Sequence, residues 1–375
     1  MEHAQNIFRL GIKELRSLFH DKILFFFVIY AFSFAIYSMA TGVSADVHNV
    51  AIGIVDEDRS ALSRRIANAF FPPYFKSPEE ITVADIDPGM DSARYTFVLD
   101  IPPDFEADVL AGRQPAIQVN IDATAIMQAR IGANYIQNIL NDEISRFVSH
   151  SEGGSDLPVE LERRYAFNPN RVSFWFGAIT GIIDMVTMLT IVLTGAALIR
   201  EREHGTIDHL LVMPLTPFEI VTAKIWANGL VILVAVAASL TFLVQGVLAV
   251  PLAGSIPLFL AGTALYLFFA ASLGIFLGTF ARSMPQLGLL VILIILPMSM
   301  LSGGLSPIES QPDWLQPLTL LLASRHFVSF AQAILFRGAG LDIVWPEFAA
   351  ITALGLAFFS VSLVRFRKAI IQTPS

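Results

Sequence analysis

The sequence predicts an α-helical polytopic membrane protein, six transmembrane helices with an extracytoplasmic α/β domain inserted among them. Three observations predict it. The 375 residues are 54% hydrophobic and only 15% charged, with thirty Phe and a mean hydropathy of +0.63, well above the apolar share of a soluble domain. Six apolar runs, 23–43, 174–199, 227–250, 257–280, 286–304 and 343–364, are each long enough to cross a hydrocarbon core of about 30 Å, which takes roughly 20 helical residues. Between the first two runs lies a water-facing stretch, 44–172, with twenty Asp and Glu against eleven Lys and Arg, a net of −9 against −8 for the whole chain.

Residues 1–22 come first. From Ile7 to Phe19, Phe8, Ile12, Leu15 and Phe19 recur at helical spacing, with Arg9, Lys13 and Arg16 on the other side. This pattern suits an amphipathic helix lying on the inner leaflet, apolar face in lipid and basic face toward anionic headgroups; a plain cytosolic extension of the first span is the alternative. The first span, 23–43, ends in Val43-Ser44-Ala45, an acceptable signal-peptidase site, but a signal h-region is about 7–15 residues long and this run is longer. It is expected to remain as a span.

Within 44–172, residues 50–56, 81–86, 95–101 and 116–122 read as strands. Ser60–Phe71, Asp104–Ala111 and Ala125–Phe147 read as helices, with Pro and Gly at the joints. That is a small α/β layer fold. The strand-to-helix passage "VAIGIVDEDRS" resembles a nucleotide-binding unit but lacks G-x-G-x-x-G, so no nucleotide is expected there. With no cysteine in the chain, neither a disulfide nor a thiolate metal site braces this domain. "SHSEGGSDLP" (149–158) is a polar, Gly-rich linker.

Basic residues set the orientation. Arg9, Lys13, Arg16 and Lys22 precede the first span; Arg200, Arg202 and Lys224 separate the second and third; Arg282 separates the fourth and fifth; Arg365, Arg367 and Lys368 follow the sixth. With six spans these four clusters share one side, so both termini are expected in the cytoplasm and 44–172 outside. Residues 313–337 are apolar enough for a seventh span. They carry Arg325 and His326 mid-run, however, and a seventh crossing would put the basic tail outside, so 305–342 is read as an outer interfacial segment.

Polar groups inside spans are costly and mark functional candidates. Asp184 in the second span either faces other helices or a wet cavity, or lies close to the outer interface. Gln245 in the third suits a helix-to-helix hydrogen bond. Pro297 is expected to kink the fifth span near a Gly-Gly pair. These three are the candidates for a transport pathway. The chain has no P-loop, no H-E-x-x-H and no G-x-S-x-G, so it is not expected to be an enzyme. His204 and His209 stand five apart, off the one-face spacing of a helical metal site, and no metal is expected.

The segment 200–224, "REREHGTIDHLLVMPLTPFEIVTAK", within the loop 200–226, is longer than a turn between spans requires. Glu201 and Glu203 suit the start of a helix. Thr206 can cap a helix Ile207–Met213 with Ile207, Leu210 and Leu211 on one face, ended by Pro214 and Pro217. "TPFE" then reads as a fresh helix start, with Thr216 as cap, Pro217 at the first position and Glu219 at the third. A short helix fixed at both ends to spans is a lever on which a soluble partner can push.

This segment resembles the coupling segment of ABC-2 type transporter permeases: an acidic pair, Gly-Thr, a Leu-Leu turn, Pro, then Glu and Lys before the next span. The run "SGGLSPIESQPDWLQPLTLLLASRHFVSFAQAILFRGAGL" is similar to the same family's segment after the fifth span, departing from it at Ala323-Ser324, where many relatives carry Pro. The likeness covers nearly the whole chain. It implies a permease that dimerises, with an identical or a paired chain, and binds cytosolic ATPase subunits that hold ATP and Mg, with no cofactor of its own. It further implies that Glu201, Glu203, His204, Gly205, Thr206, Ile207, Leu210, Leu211 and Pro214 form the coupling segment, and that the amphipathic start is the connecting helix. The expected function is ATP-driven export of an amphiphilic small molecule or drug from a prokaryotic inner membrane. The outer domain would screen cargo or dock an extracytoplasmic adaptor; no nucleic acid is expected as a partner. Two other readings stand beside it: a membrane-anchored sensor or receptor, and an ion-driven secondary transporter using Asp184.

Overall fold

The computed structural model describes residues 2–42, 49–122, 126–151, 174–203, 215–304 and 308–371. The chain divides into two compact units, Met1–Val43 with Asn170–Ser375, and Ser44–Pro169.

The first unit holds six helices long and apolar enough to cross a membrane: Lys22–Gly42, Trp175–Glu203, Pro217–Val247, Ile256–Phe280, Met284–Leu301 and Leu341–Lys368. An N-terminal helix, Glu2–His20, precedes them, and a helix Ala323–Leu335 lies between the last two. The second and fourth spans are mostly buried, while few residues of the fifth and sixth are.

Small residues explain why the second and fourth spans form the centre. A Cβ on Gly274 would meet Thr194 Oγ1 at 2.0 Å and the Ile191 carbonyl at 2.6 Å, and one on Gly278 would lie 3.2 Å from the Gly195 carbonyl. The two backbones therefore cross in direct contact, the close approach that small residues permit where lipid supplies no hydrophobic drive. The Thr187 and Tyr266 hydroxyls meet at 2.8 Å across the same interface, and Ser362 Oγ donates to the Ser272 carbonyl at 2.8 Å, tying the sixth span to the fourth.

Several boundaries differ from the hydropathy runs. The second span continues as helix through Glu203 and the third begins at Pro217, ten residues before the apolar run. Thr216 and Glu219 form a reciprocal capping box there, which satisfies two otherwise orphan N–H groups and starts the helix while its sequence is still polar. Glu201 and Glu203 thus end a helix rather than start one, a correction to the sequence reading. The last nine residues of the third span, Ser239–Val247, have the wider π turn.

The second unit contains a four-stranded sheet of β1 (Ile52–Asp56), β2 (Glu79–Glu80), β3 (Phe97–Ile101) and β4 (Gln118–Ile121) in the order β2-β1-β3-β4. β1 is parallel to β2 and β3, and β3 is antiparallel to β4. Ile52, Ile54, Phe97, Leu99 and Ile101 point to one face, where Leu62 and Ile66 from the helix Ala61–Asn68 and Ile136 from the helix Ile126–Ser151 cover them. Alternation at period two thus builds the core. The strand expected at 81–86 does not form: Asp85 Oδ2 accepts from Thr82 N at 3.0 Å and from Thr82 Oγ1 at 2.6 Å. This capping box turns the chain into the helix Ile86–Asp91, so local side-chain bonding overrides the β pattern. At the helix start after β1, Glu106 Oε2 accepts from Leu62 N at 2.8 Å and Ser60 Oγ accepts from Ser63 N at 3.0 Å. A carboxylate of the chain therefore occupies the place a phosphate would take, in keeping with the missing Gly-rich loop.

Candidate coupling site

The site forms where the N-terminal helix packs beside the start of the third span. Glu219, fixed by its capping box, turns its other oxygen outward: Oε1 accepts from Asn6 Nδ2 at 2.9 Å and meets His3 Nδ1 at 3.0 Å. Further along, Lys224 Nζ lies 2.9 Å from Glu14 Oε1 and 2.8 Å from Glu201 Oε1. Its side chain is 3% exposed, so this ammonium is a buried charge whose stability depends on both carboxylates. One cation thereby joins three elements: the N-terminal helix, the end of the second span and the start of the third.

Trp226 completes the joint. Its ring stacks on Phe8 with centroids 5.9 Å apart and planes 2° apart, and its Nε1 donates to the Ile7 carbonyl at 3.2 Å. The indole lies flat over Gly11, where a Cβ would fall 2.0 Å from Cζ2, so only glycine admits this approach.

Two arginines extend the network. Arg200 Nη1 donates to Asp21 Oδ2 at 3.3 Å, and Asp21 Oδ1 in turn accepts from Leu24 N at 3.1 Å to cap the first span. Arg202 Nη1 donates to the Ala281 carbonyl at 3.0 Å, just past the end of the fourth span. These bonds link the ends of four spans and the N-terminal helix to one another.

Of the residues expected in the coupling segment, Glu201 and Glu203 are described, and Glu201 is part of the Lys224 cluster. His204, Gly205, Thr206, Ile207, Leu210, Leu211 and Pro214 lie outside the described residues. Sequence reading counted Lys224 among the basic residues that set the orientation and as the Lys that closes the family pattern before the next span, and gave it no partner. Its place inside the apolar third-span helix was the available signal, since a Lys buried there requires acidic partners.

Of the three pathway candidates, Asp184 is bonded to the span that carries Pro297. Asp184 Oδ1 accepts from Ser299 Oγ at 2.9 Å, joining the second span to the fifth two residues after Pro297, which lies inside its helix. Asp184 is about 14 Å along the helix axis from Trp175, so it is well inside the span. Gln245 is exposed and is not placed with them.

A second polar cluster ties the Ala323–Leu335 helix to the sixth span. His326 is 7% exposed; its Nδ1 bonds Glu347 Oε2 and its Nε2 bonds the Leu320 carbonyl at 2.9 Å. Glu347 Oε1 also accepts from Ser329 Oγ at 2.9 Å. Both ring nitrogens face acceptors, which calls for the doubly protonated imidazolium. The hydrogen bond to Glu347 raises the His326 pKa above its ordinary value, against burial and the neighbouring Arg325. A raised folded-state pKa gives stability that is complete below the unfolded value of about 6.5 and is lost as pH rises through the folded one. Thermal melts of the purified protein from mildly acidic to alkaline pH are expected to show this loss, and His326→Gln to flatten it; an identical pH profile in the variant would refute the assignment.

An apolar helical bundle whose span ends converge on a charged joint, together with an inserted α/β unit, defines a polytopic membrane protein. Residues 23–364 match the family model described as ABC-2 family transporter protein, and the chain belongs to that family. It is 56% identical to the inner membrane transport permease YhhJ of Escherichia coli (strain K12), over 99% of each chain. It is 28% identical to the "Probable multidrug ABC transporter permease YbhR" of the same organism, over 95% of this chain and 96% of that one, and 24% identical to its "Probable multidrug ABC transporter permease YbhS", over 88% of each.

Proposed function

We propose that this chain is the membrane-spanning permease subunit of an ATP-driven exporter in a prokaryotic inner membrane. It dimerises and is driven by separate cytosolic ATPase subunits, which bind ATP and Mg. The observation that carries this reading is the buried Lys224 between Glu14 and Glu201, which locks the N-terminal helix and two span ends into one body that a motor can move. An amphiphilic small molecule is the cargo class that fits, in line with the multidrug names of two relatives. Both termini lie in the cytoplasm, and the α/β unit outside screens cargo or docks an adaptor.

The test is a mild-detergent pull-down from native membranes, with mass spectrometry of what accompanies the wild type and the Gly205→Pro and Pro214→Ala variants. A P-loop ATPase recovered with the wild type and lost with the variants supports the reading; its absence across several detergents counts against it. Asp184→Asn separates the ion-driven alternative. Asn can still accept from Ser299, so export is expected to persist and to remain ATP-dependent, whereas loss of export with ATPase activity intact would point to an ion pathway through Asp184.

A further inference from the structure

An apolar cavity of about 290 Å³ lies in the elbow between the N-terminal helix and the first span, closed on its far side by the third span. Leu15 and Phe19 line it from the N-terminal helix, Phe25 and Val28 from the first span, and Val234 and Ala238 from the third. The cavity opens on the outside of the bundle: of its lining residues, Phe19, Ile29 and Val234 are 57%, 48% and 60% exposed. Water and polar peptide are excluded from such a space, since no backbone or side-chain group is available there to bond them.

The mouth of the cavity is the opposite in character. Arg16 and Lys22 are exposed, and each stands three residues before a lining aromatic, Phe19 and Phe25, so Arg16, on the basic side of its helix, borders the apolar face and Lys22 stands one turn before Phe25. The acids of the same elbow are committed elsewhere, Glu14 to Lys224 and Asp21 to Arg200. Among the described residues no carboxylate pairs with Arg9, Lys13, Arg16 or Lys22. The elbow therefore combines surplus positive charge with a purely apolar slot.

One molecule satisfies both ends only if it is an amphiphile with a negative head. We propose that the elbow is a binding site for an anionic phospholipid, with one acyl chain in the slot and the phosphate held by Arg16 and Lys22. Leu230 and Val234 follow Trp226 at four-residue steps, as Leu15 follows Gly11, so a bound lipid packs between the N-terminal helix and the third span along the same seam as Trp226 and completes the joint described above with a bilayer component. A cationic amphiphile is repelled at the mouth, which separates this site from a path for basic cargo. The inference goes beyond the export reading and does not depend on it.

The experiment is native mass spectrometry of the purified full-length protein, titrated with phosphatidylglycerol and with phosphatidylethanolamine. The wild type is expected to hold one phosphatidylglycerol with an affinity about thirtyfold above that for phosphatidylethanolamine, the preference two surface cations supply. Arg16→Gln with Lys22→Gln, both at exposed positions, is expected to remove that preference and leave the melting temperature of the lipid-free protein unchanged. Ala238→Phe fills the slot and is expected to weaken both lipids. Equal affinities in the wild type, or a preference that survives the double substitution, would overturn the proposal. Binding lost with the charges and untouched by Ala238→Phe would overturn the acyl slot and leave a headgroup patch alone.

Discussion

Lys224→Met is expected to lower the stability of the membrane unit by about 3–5 kcal/mol, the usual cost of removing one partner from a buried ion cluster, and to abolish export. The loss arises because Glu14 and Glu201 both converge on this ammonium, while the neighbouring Arg200 reaches Asp21 and Arg202 the Ala281 carbonyl. Thermal melts of the purified protein measure the first effect, and vesicle transport with the ATPase partner present measures the second. The triple variant Lys224→Met, Glu14→Gln, Glu201→Gln separates the two roles. It removes the stranded charges and is expected to recover most of the stability, as replacement of a whole buried ion cluster often does, while transport stays impaired. Full stability in the single variant would mean that Lys224 reaches water and that the cluster contributes little.

Gly11→Ala is expected to undock the N-terminal helix from the third span. The added methyl would fall 2.0 Å from Trp226 Cζ2, so either the indole or the helix must move, at about 1–3 kcal/mol for overpacking of this kind. The stack on Phe8 and the Nε1 bond to the Ile7 carbonyl go with it. A second substitution, Trp226→Leu, relieves the clash. The double variant is therefore expected to be more stable than the sum of the two single effects, a coupling that a double-mutant cycle reads directly. Limited proteolysis of residues 2–20 supplies an independent measure, with faster cleavage expected in Gly11→Ala; unchanged cleavage and additive energies would show that the helix is held by its charges alone.

Much of the architecture was legible in the residues. The spans were, because hydrocarbon demands about 20 apolar residues in a row whatever surrounds them, and the observed helices differ from the runs chiefly at their polar ends. The helix start at Thr216 was, because a capping box is a contract between residues three apart. The strand expected at 81–86 was not, because its β pattern competes with the Thr82–Asp85 bond, and only the folded chain shows which wins. The candidate site was legible in part: Glu201 was marked by a family likeness, yet its role as half of the cradle for Lys224 was hidden, since the other half, Glu14, lies far away in the sequence.

By itself the sequence determined that this chain lives in a membrane, how many helices cross it, that a water-facing α/β unit follows the first of them, and which family it resembles. Each of those rests on local composition or short-range spacing. Only the tertiary structure decided that Asp184 bonds Ser299, that His326 sits between Glu347 and Leu320, and that Gly11 is the bed for Trp226. A glycine, a lysine or an aspartate carries no mark of its distant partner. Which residue meets which is settled when helices choose their neighbours, and that choice is made by side-chain volume and buried charge summed over whole faces.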